Sequence, residues 1–242
     1  MKILDDLISI LDVEASVKDI RQGVFHTAVV TRYCGLAATL PRDALRQEPP
    51  LVKEPGLLTD KKASELLRLV YSDSILEAAI GMAAINSLIE VNETLCAEIN
   101  ASEIIMEKGK GKKIAVVGHF PFLQRVRDIA DTLWVIEKNP VEGDFKEQDA
   151  DSLIPQADVV AITGTSLTNH SFEHLMTLCQ PKAFVIILGD TAPLSSIFFD
   201  YGVDAVSGTK VVNSSLALRC VCEGANFRQI KGTRRLTMVK PG

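Results

Sequence analysis

The chain predicts an α/β protein in two parts: a doubly wound parallel sheet in the second half and a smaller α+β unit before it. Three observations predict this. In the second half, short apolar runs at 114–117, 132–136, 159–163, 184–188 and 205–207 alternate with helical segments at 123–130, 172–179, 195–201 and 214–223. Strands that read as nearly unbroken hydrophobic runs belong to parallel sheets covered on both faces, and right-handed crossovers between them give a doubly wound, Rossmann-like sheet. In the first half the strands come first and the helices after, the order of an α+β unit. A Lys/Gly run from Lys108 to Lys113 divides the two, which sets the expected domains at residues 1–108 and 109–242.

The first half opens on an amphipathic helix over 3–12. Short strands follow at 17–22, 24–31 and 36–40, with turn signals at Gly23 and Gly35. Asp60 is placed to cap a helix reaching about Tyr71, with Leu66, Leu67 and Val70 on one face. Ser74-Ile75-Leu76-Glu77 has capping-box spacing and opens an Ala-rich helix over 75–90. That helix suits a core and a homo-oligomer interface alike. A further helix is expected over about 92–108, leading into the Lys/Gly run. On the last helix, Cys220 and Cys222 are two apart, do not share a face, and read as small core residues.

Composition narrows the function classes. The chain has 242 residues, 47% hydrophobic and 24% charged, enough apolar surface for one large or two small domains. Its net charge of −5 argues against a nucleic-acid partner, which selects a basic face. The Lys108–Lys113 run carries no aromatic residues and reads as a solvated linker. Five scattered cysteines and no apolar leader imply reduced thiols and a cytoplasmic protein. No apolar run is long enough to cross a membrane, so no membrane partner is expected.

The chemistry gathers at the strand ends. They read Gly118-His119-Phe120-Pro121, Glu137-Lys138-Asn139-Pro140, Thr163-Gly164-Thr165-Ser166 with Asn169 and His170 following, Gly189-Asp190-Thr191-Ala192-Pro193, and Gly208-Thr209. In a doubly wound sheet these tips lie along one edge, where ligands bind. Glycines let backbone amides approach a ligand, and small hydroxyl residues suit an anionic or polar group. The ligand-binding candidates are therefore Gly118, Phe120, Pro121, Asn139, Thr163, Gly164, Thr165, Asn169, Gly189 and Asp190. His119, pinned by Pro121, and Glu137 are the candidate catalytic groups, His119 as acid–base or metal ligand.

Glu137 lies 19 residues after Gly118, where nucleotide-binding folds place a ribose-binding acid. The glycine fingerprint that cradles a pyrophosphate is missing, which argues against NAD. S-adenosylmethionine needs no such cradle and stays as an alternative, a methyltransferase-like enzyme. His170 and His174, four apart on one helix face, join His119 as candidate ligands for a divalent metal ion. There is no nucleophile elbow and no P-loop.

Four segments carry a resemblance: Val117-Gly118-His119-Phe120-Pro121; Ile162-Thr163-Gly164-Thr165-Ser166-Leu167-Thr168-Asn169; Leu188-Gly189-Asp190-Thr191-Ala192-Pro193; and Tyr201-Gly202-Val203-Asp204-Ala205-Val206-Ser207-Gly208. Together they resemble the putative heavy-metal chelation family, a family of unknown function. The first half is similar to its companion domain, an enolase N-terminal-like α+β unit, through Gly35-Leu36-Ala37 and the order of elements. The resemblance implies a Rossmann-like C-terminal domain, a site in the groove between the domains, and a link to metal chelation. It also places the N-terminal unit over the strand ends, bringing Arg32 or Tyr33 near the cleft.

The expected function is binding of a small molecule or metal chelate in that cleft, with or without catalysis. The alternatives are the adenosyl-dependent enzyme and a non-catalytic metal-binding protein.

Overall fold

Two sheets organise the chain, whose computed structural model describes residues 1–48 and 51–241. The first is an antiparallel meander of β1 (Asp19–Gln22), β2 (His26–Val30) and β3 (Cys34–Ala38), with His26 opposite Ala38 and Val30 opposite Cys34. The second has eight strands: β4 (Cys96–Ala97), β5 (Lys113–Val117), β6 (Thr132–Glu137), β7 (Phe145–Lys146), β8 (Val159–Thr163), β9 (Phe184–Leu188), β10 (Ala205–Val211) and β11 (Thr233–Val239). Their order is β4-β11-β10-β9-β8-β5-β6-β7. From β10 to β7 every pairing is parallel, while β11 runs antiparallel to both β10 and β4. The six parallel strands thus follow the doubly wound 3-2-1-4-5-6 order, with the switch point between β5 and β8.

Side-chain alternation explains why these runs are strands buried on both faces. Ala115, Val160, Ile162, Val185 and Ile187 enter one hydrophobic cluster. Their neighbours Ile114, Val116, Val159, Ala161 and Ile186 enter another on the opposite face. The first cluster does not stop at the large sheet. It continues through Ile3, Leu4 and Leu7 of the N-terminal helix, Val29 and Ala37 of the small sheet, and Ile80, Met82 and Ile85 of the helix Ile75–Leu88.

That helix is buried on nearly all sides within this chain, so its alanines serve the core. It lies hard against β3. Gly35, read from sequence as a turn, sits inside β3, and a Cβ there would come within 2.2 Å of the Ala83 carbonyl oxygen. The other face of the small sheet packs Ala28, Cys34 and Leu36 against Ala217 and Val221 of the helix Ser214–Cys222. On that helix Cys222 is exposed and Cys220 half-buried, so the pair is not jointly part of the core.

Local structure differs from expectation in three places. The helix expected from Asp60 is broken into a turn at Leu58–Asp60, a helix at Ala63–Arg68 and a final turn at Leu69–Tyr71. The Ser74–Glu77 capping box does not form. Glu77 is buried and accepts from the Lys53 amide at 2.7 Å and the Ser72 hydroxyl at 2.6 Å, while Ser74 Oγ donates to the Leu51 carbonyl. The helix expected over 92–108 is also divided. Asn92 caps a short turn, β4 joins the large sheet, and Asn100 caps a helix only at Ala101–Gly109. Ala101, Ile104 and Ile105 pack on the large sheet, so residues 96–109 associate with the second half.

Candidate functional site

A cavity of about 570 Å³ opens at the carboxyl ends of the parallel strands, beside the switch point. The β5 loop supplies His119, Phe120, Pro121 and Phe122; the β8 loop supplies Thr163, Gly164 and Thr165; the β9 loop supplies Leu188 to Thr191. β10 adds Ser207, Gly208 and Thr209. The small sheet and the segment after it close the opposite side with Phe25, His26, Ala38, Leu40 and Pro41. Asn226, Phe227, Arg228 and Arg235 complete the wall, with Arg125 and the Asn100–Ser102 turn.

The loops hold this shape for physical reasons. Gly118 and Gly189 sit at φ +110° and +114°, where a side chain is strained. A Cβ on Gly189 would meet nothing within 4 Å, so the constraint there is backbone conformation alone. The expectation that glycine amides are free for a ligand is not met. The amides of Gly118, Gly164 and Gly189 donate to Ile136, Leu188 and Ser207 at 2.9, 2.7 and 3.0 Å, carrying backbone pairing past the strand ends.

The cavity is tied across the two halves by one buried pair. His26 Nε2 lies 2.9 Å from Asp190 Oδ2, and Thr209 donates to Asp190 Oδ1 at 2.6 Å. Beside it, Thr191 Oγ1 accepts from the Ala38 amide at 2.9 Å. His26 is 6% exposed, and its Nδ1 is buried with no partner.

His119 stands at the mouth with its side chain half exposed. Its Nδ1 lies 3.0 Å from Asp144 Oδ2, and that oxygen also accepts from the Val141 amide at 3.2 Å. Among the described residues Nε2 has no protein partner. This is the arrangement in which a carboxylate orients an imidazole and leaves its other nitrogen for a ligand or proton.

Eight of the residues expected at the site line the cavity: His119, Phe120, Pro121, Thr163, Gly164, Thr165, Gly189 and Asp190. Gly118 shapes the β5 loop but does not line it. Glu137 ends β6 beside β5, but it does not line the cavity; it pairs in register with Lys146 of β7. Asn139 accepts from Arg46, and Asn169 accepts from the Ser171 amide and hydroxyl; neither lines the cavity. Arg32, expected near the cleft, instead borders a separate depression with Leu88 and Ser195. Sequence reading missed His26, Asp144, Arg125, Arg228 and Arg235. Only the scarcity of histidine, four in the chain, could have drawn attention to His26.

The three histidines grouped as metal ligands are held apart by separate partners. His119 meets Asp144, His170 meets the Val70 carbonyl at 2.7 Å, and His174 meets Asp151 at 2.8 Å on the surface. Among the described residues no group of three or more His, Cys, Asp or Glu side chains is arranged to hold a metal ion. The donor set does not fit a resident metal. No described helix is long and apolar enough to cross a membrane.

Comparison with known proteins agrees with this architecture. A curated relative, an uncharacterized protein of Methanocaldococcus jannaschii, is 26% identical over 187 residues, 74% of this chain and 72% of its own length. A DUF364-family protein of unknown function from Desulfitobacterium hafniense superposes with a TM-score of 0.84 at 24% identity, covering 99% of this chain and 98% of that one. A second, from Pyrococcus horikoshii, gives 0.82 at 21% identity with the same coverage. These likenesses establish the two-domain α/β fold. Residues 4–89 match the model of a second family, DUF4213, which carries the description "Putative heavy-metal chelation". Residues 100–240, more than half the chain, match the DUF364 model under that same description, and the chain belongs to that family.

Proposed function

We propose that this protein binds a small polar molecule, or the metal chelate of one, in the cavity at the β5–β8 switch point, with His119 as its proton-transferring group. One observation carries the reading: a cavity of about 570 Å³, walled by both halves of the chain, lies where open α/β sheets bind ligands. Its size and its few convergent polar groups match those of small-molecule sites. His119, oriented by Asp144 and without a partner at Nε2 among the described residues, supplies an acid–base group at the mouth. Thr163 and Thr165, whose hydroxyls lie 3.0 Å apart, supply neutral hydrogen-bonding groups on the floor. Since the histidines do not cluster, any metal linked to the family description is read as cargo carried by the ligand. The adenosyl reading loses its acidic group, because Glu137 does not line the cavity.

Thermal-shift and native mass spectrometry against organic chelators, each with and without divalent metal ions and with S-adenosylmethionine alongside, test this. The expected result is stabilisation by a chelator or its metal complex, reduced by His119→Ala. Stabilisation by bare metal ions alone, undiminished by Thr165→Trp in the cavity floor, overturns it.

A further inference from the structure

We infer that the cavity selects an organic anion with an apolar body, its acidic group held by Arg228 and Arg235 and its body laid against phenylalanine rings. This rests on the small-molecule reading and adds the charge and shape of the ligand. The glycine amides that would ordinarily meet an anion are already donating to backbone carbonyls. The positive groups available in the walls are instead side chains.

The lining of this cavity holds three arginines and one carboxylate, in a chain whose net charge is −5. That carboxylate, Asp190, is engaged at both oxygens by His26 and Thr209 and is not offered to the arginines. Among the described residues none of the three arginines forms an ion pair. Two of them are held against an aromatic ring. The guanidinium carbons of Arg235 and Arg228 lie 5.2 and 5.6 Å from the Phe227 ring centroid, and Arg235 also donates to the Phe227 carbonyl at 2.9 Å. Stacking of this kind limits the conformations of a guanidinium while leaving donors for an acid group. Phe120 and Phe122, stacked with centroids 5.2 Å apart, supply an apolar wall in the same cavity. A carboxylate, sulfonate or phosphate matches the arginine donors in geometry and charge. A bare inorganic anion would leave the phenylalanines unused, and a neutral apolar molecule would leave the arginines without a partner of opposite charge.

Two dyes of the same shape test this: 8-anilinonaphthalene-1-sulfonate, which is anionic, and N-phenyl-1-naphthylamine, which is neutral. The intact protein is expected to bind the sulfonate more tightly. Arg228→Gln/Arg235→Gln should weaken sulfonate binding about tenfold and neutral-dye binding less than twofold, with Arg127→Gln outside the cavity changing neither. All these arginines are exposed, so the variants should fold. Equal affinity for the two dyes, both unaffected by the arginine changes but abolished by Thr165→Trp or Ala38→Phe, overturns the anion inference and leaves the small-molecule reading standing. Failure of both dyes to bind, or binding that ignores both cavity-filling variants, overturns the small-molecule reading itself.

Discussion

His26 and Asp190, 164 residues apart in the chain, meet at 2.9 Å and join the small antiparallel sheet to the β9 loop of the large one. Both are almost inaccessible to solvent, and Thr209 satisfies the remaining carboxylate oxygen. Removing one partner strands the other in a low-dielectric site, a cost of about 3–5 kcal/mol for a buried ionic pair and about 1–3 kcal/mol for a buried hydrogen bond. Asp190→Ala is expected to lower urea stability within that combined range. A double-mutant cycle with His26→Ala should return a coupling energy well above the ~0.5 kcal/mol of independent sites. Additivity would show that the contact contributes nothing specific.

His119 and Asp144 present the contrasting case. The histidine is half exposed, so its contact with Asp144 is worth only about 0–1 kcal/mol. His119→Ala and Asp144→Asn should each leave the melting temperature within a few degrees of wild type while weakening binding of the ligand found by screening. Collapse of stability with binding retained would assign His119 a structural role.

Gly35 tests how closely the small sheet and the helix Ile75–Leu88 approach. A Cβ would fall 2.2 Å from the Ala83 carbonyl oxygen and 2.3 Å from the Ser87 amide nitrogen, both backbone atoms that cannot step aside. Gly35→Ala is expected to cost about 1–3 kcal/mol in chemical denaturation, the usual penalty for overpacking. Gly56→Ala, where a Cβ has open space, isolates the cost of positive φ alone at about 1 kcal/mol.

Burial pushes the Cys34 thiol from 9.0 up to about 12, and the Cys179 thiol up to about 11. A raised folded value stabilises the fold below the unfolded value and loses that contribution as pH rises towards the folded one. Alkaline destabilisation attributable to Cys34 is therefore expected between about pH 9 and 12, with a ceiling of ~4 kcal/mol for that interval. Stability measured across that window should fall less steeply for Cys34→Ala than for wild type. At neutral pH, exposed Cys222 should react with a thiol reagent well before Cys34.

The parallel sheet was legible because its strands are buried on both faces: Val159 to Ile162 alternate between two clusters and leave no polar interruption. The strand-end positions followed from topology, which is why His119, Thr165 and Asp190 were found. β11 was missed because Thr233, Arg234 and Arg235 precede its apolar residues and read as an exposed segment, and β4 and β7 are two residues each. Glu137 does end β6 beside β5, as its spacing implies, but the cavity opens towards β8, β9 and β10, and that offset is not written in spacing along the chain. His26 was invisible for a different reason. In His26-Thr27-Ala28-Val29-Val30 it is one residue of a buried strand, and it acquires a role only through a carboxylate from the far end of the chain.

The hydrophobic cluster that runs from the N-terminal helix through Ile80 and Met82 to Leu167 and Phe172 limits how the cavity can exchange its contents. Swinging one half away from the other would bring those side chains into water, at about 1.5–3 kcal/mol each. For the proposed ligand, access is therefore through the standing aperture beside His119 and the arginines, to a receptor that is preformed. Association should be fast and set by diffusion and charge steering, with little heat-capacity change beyond that of the surface the guest itself buries.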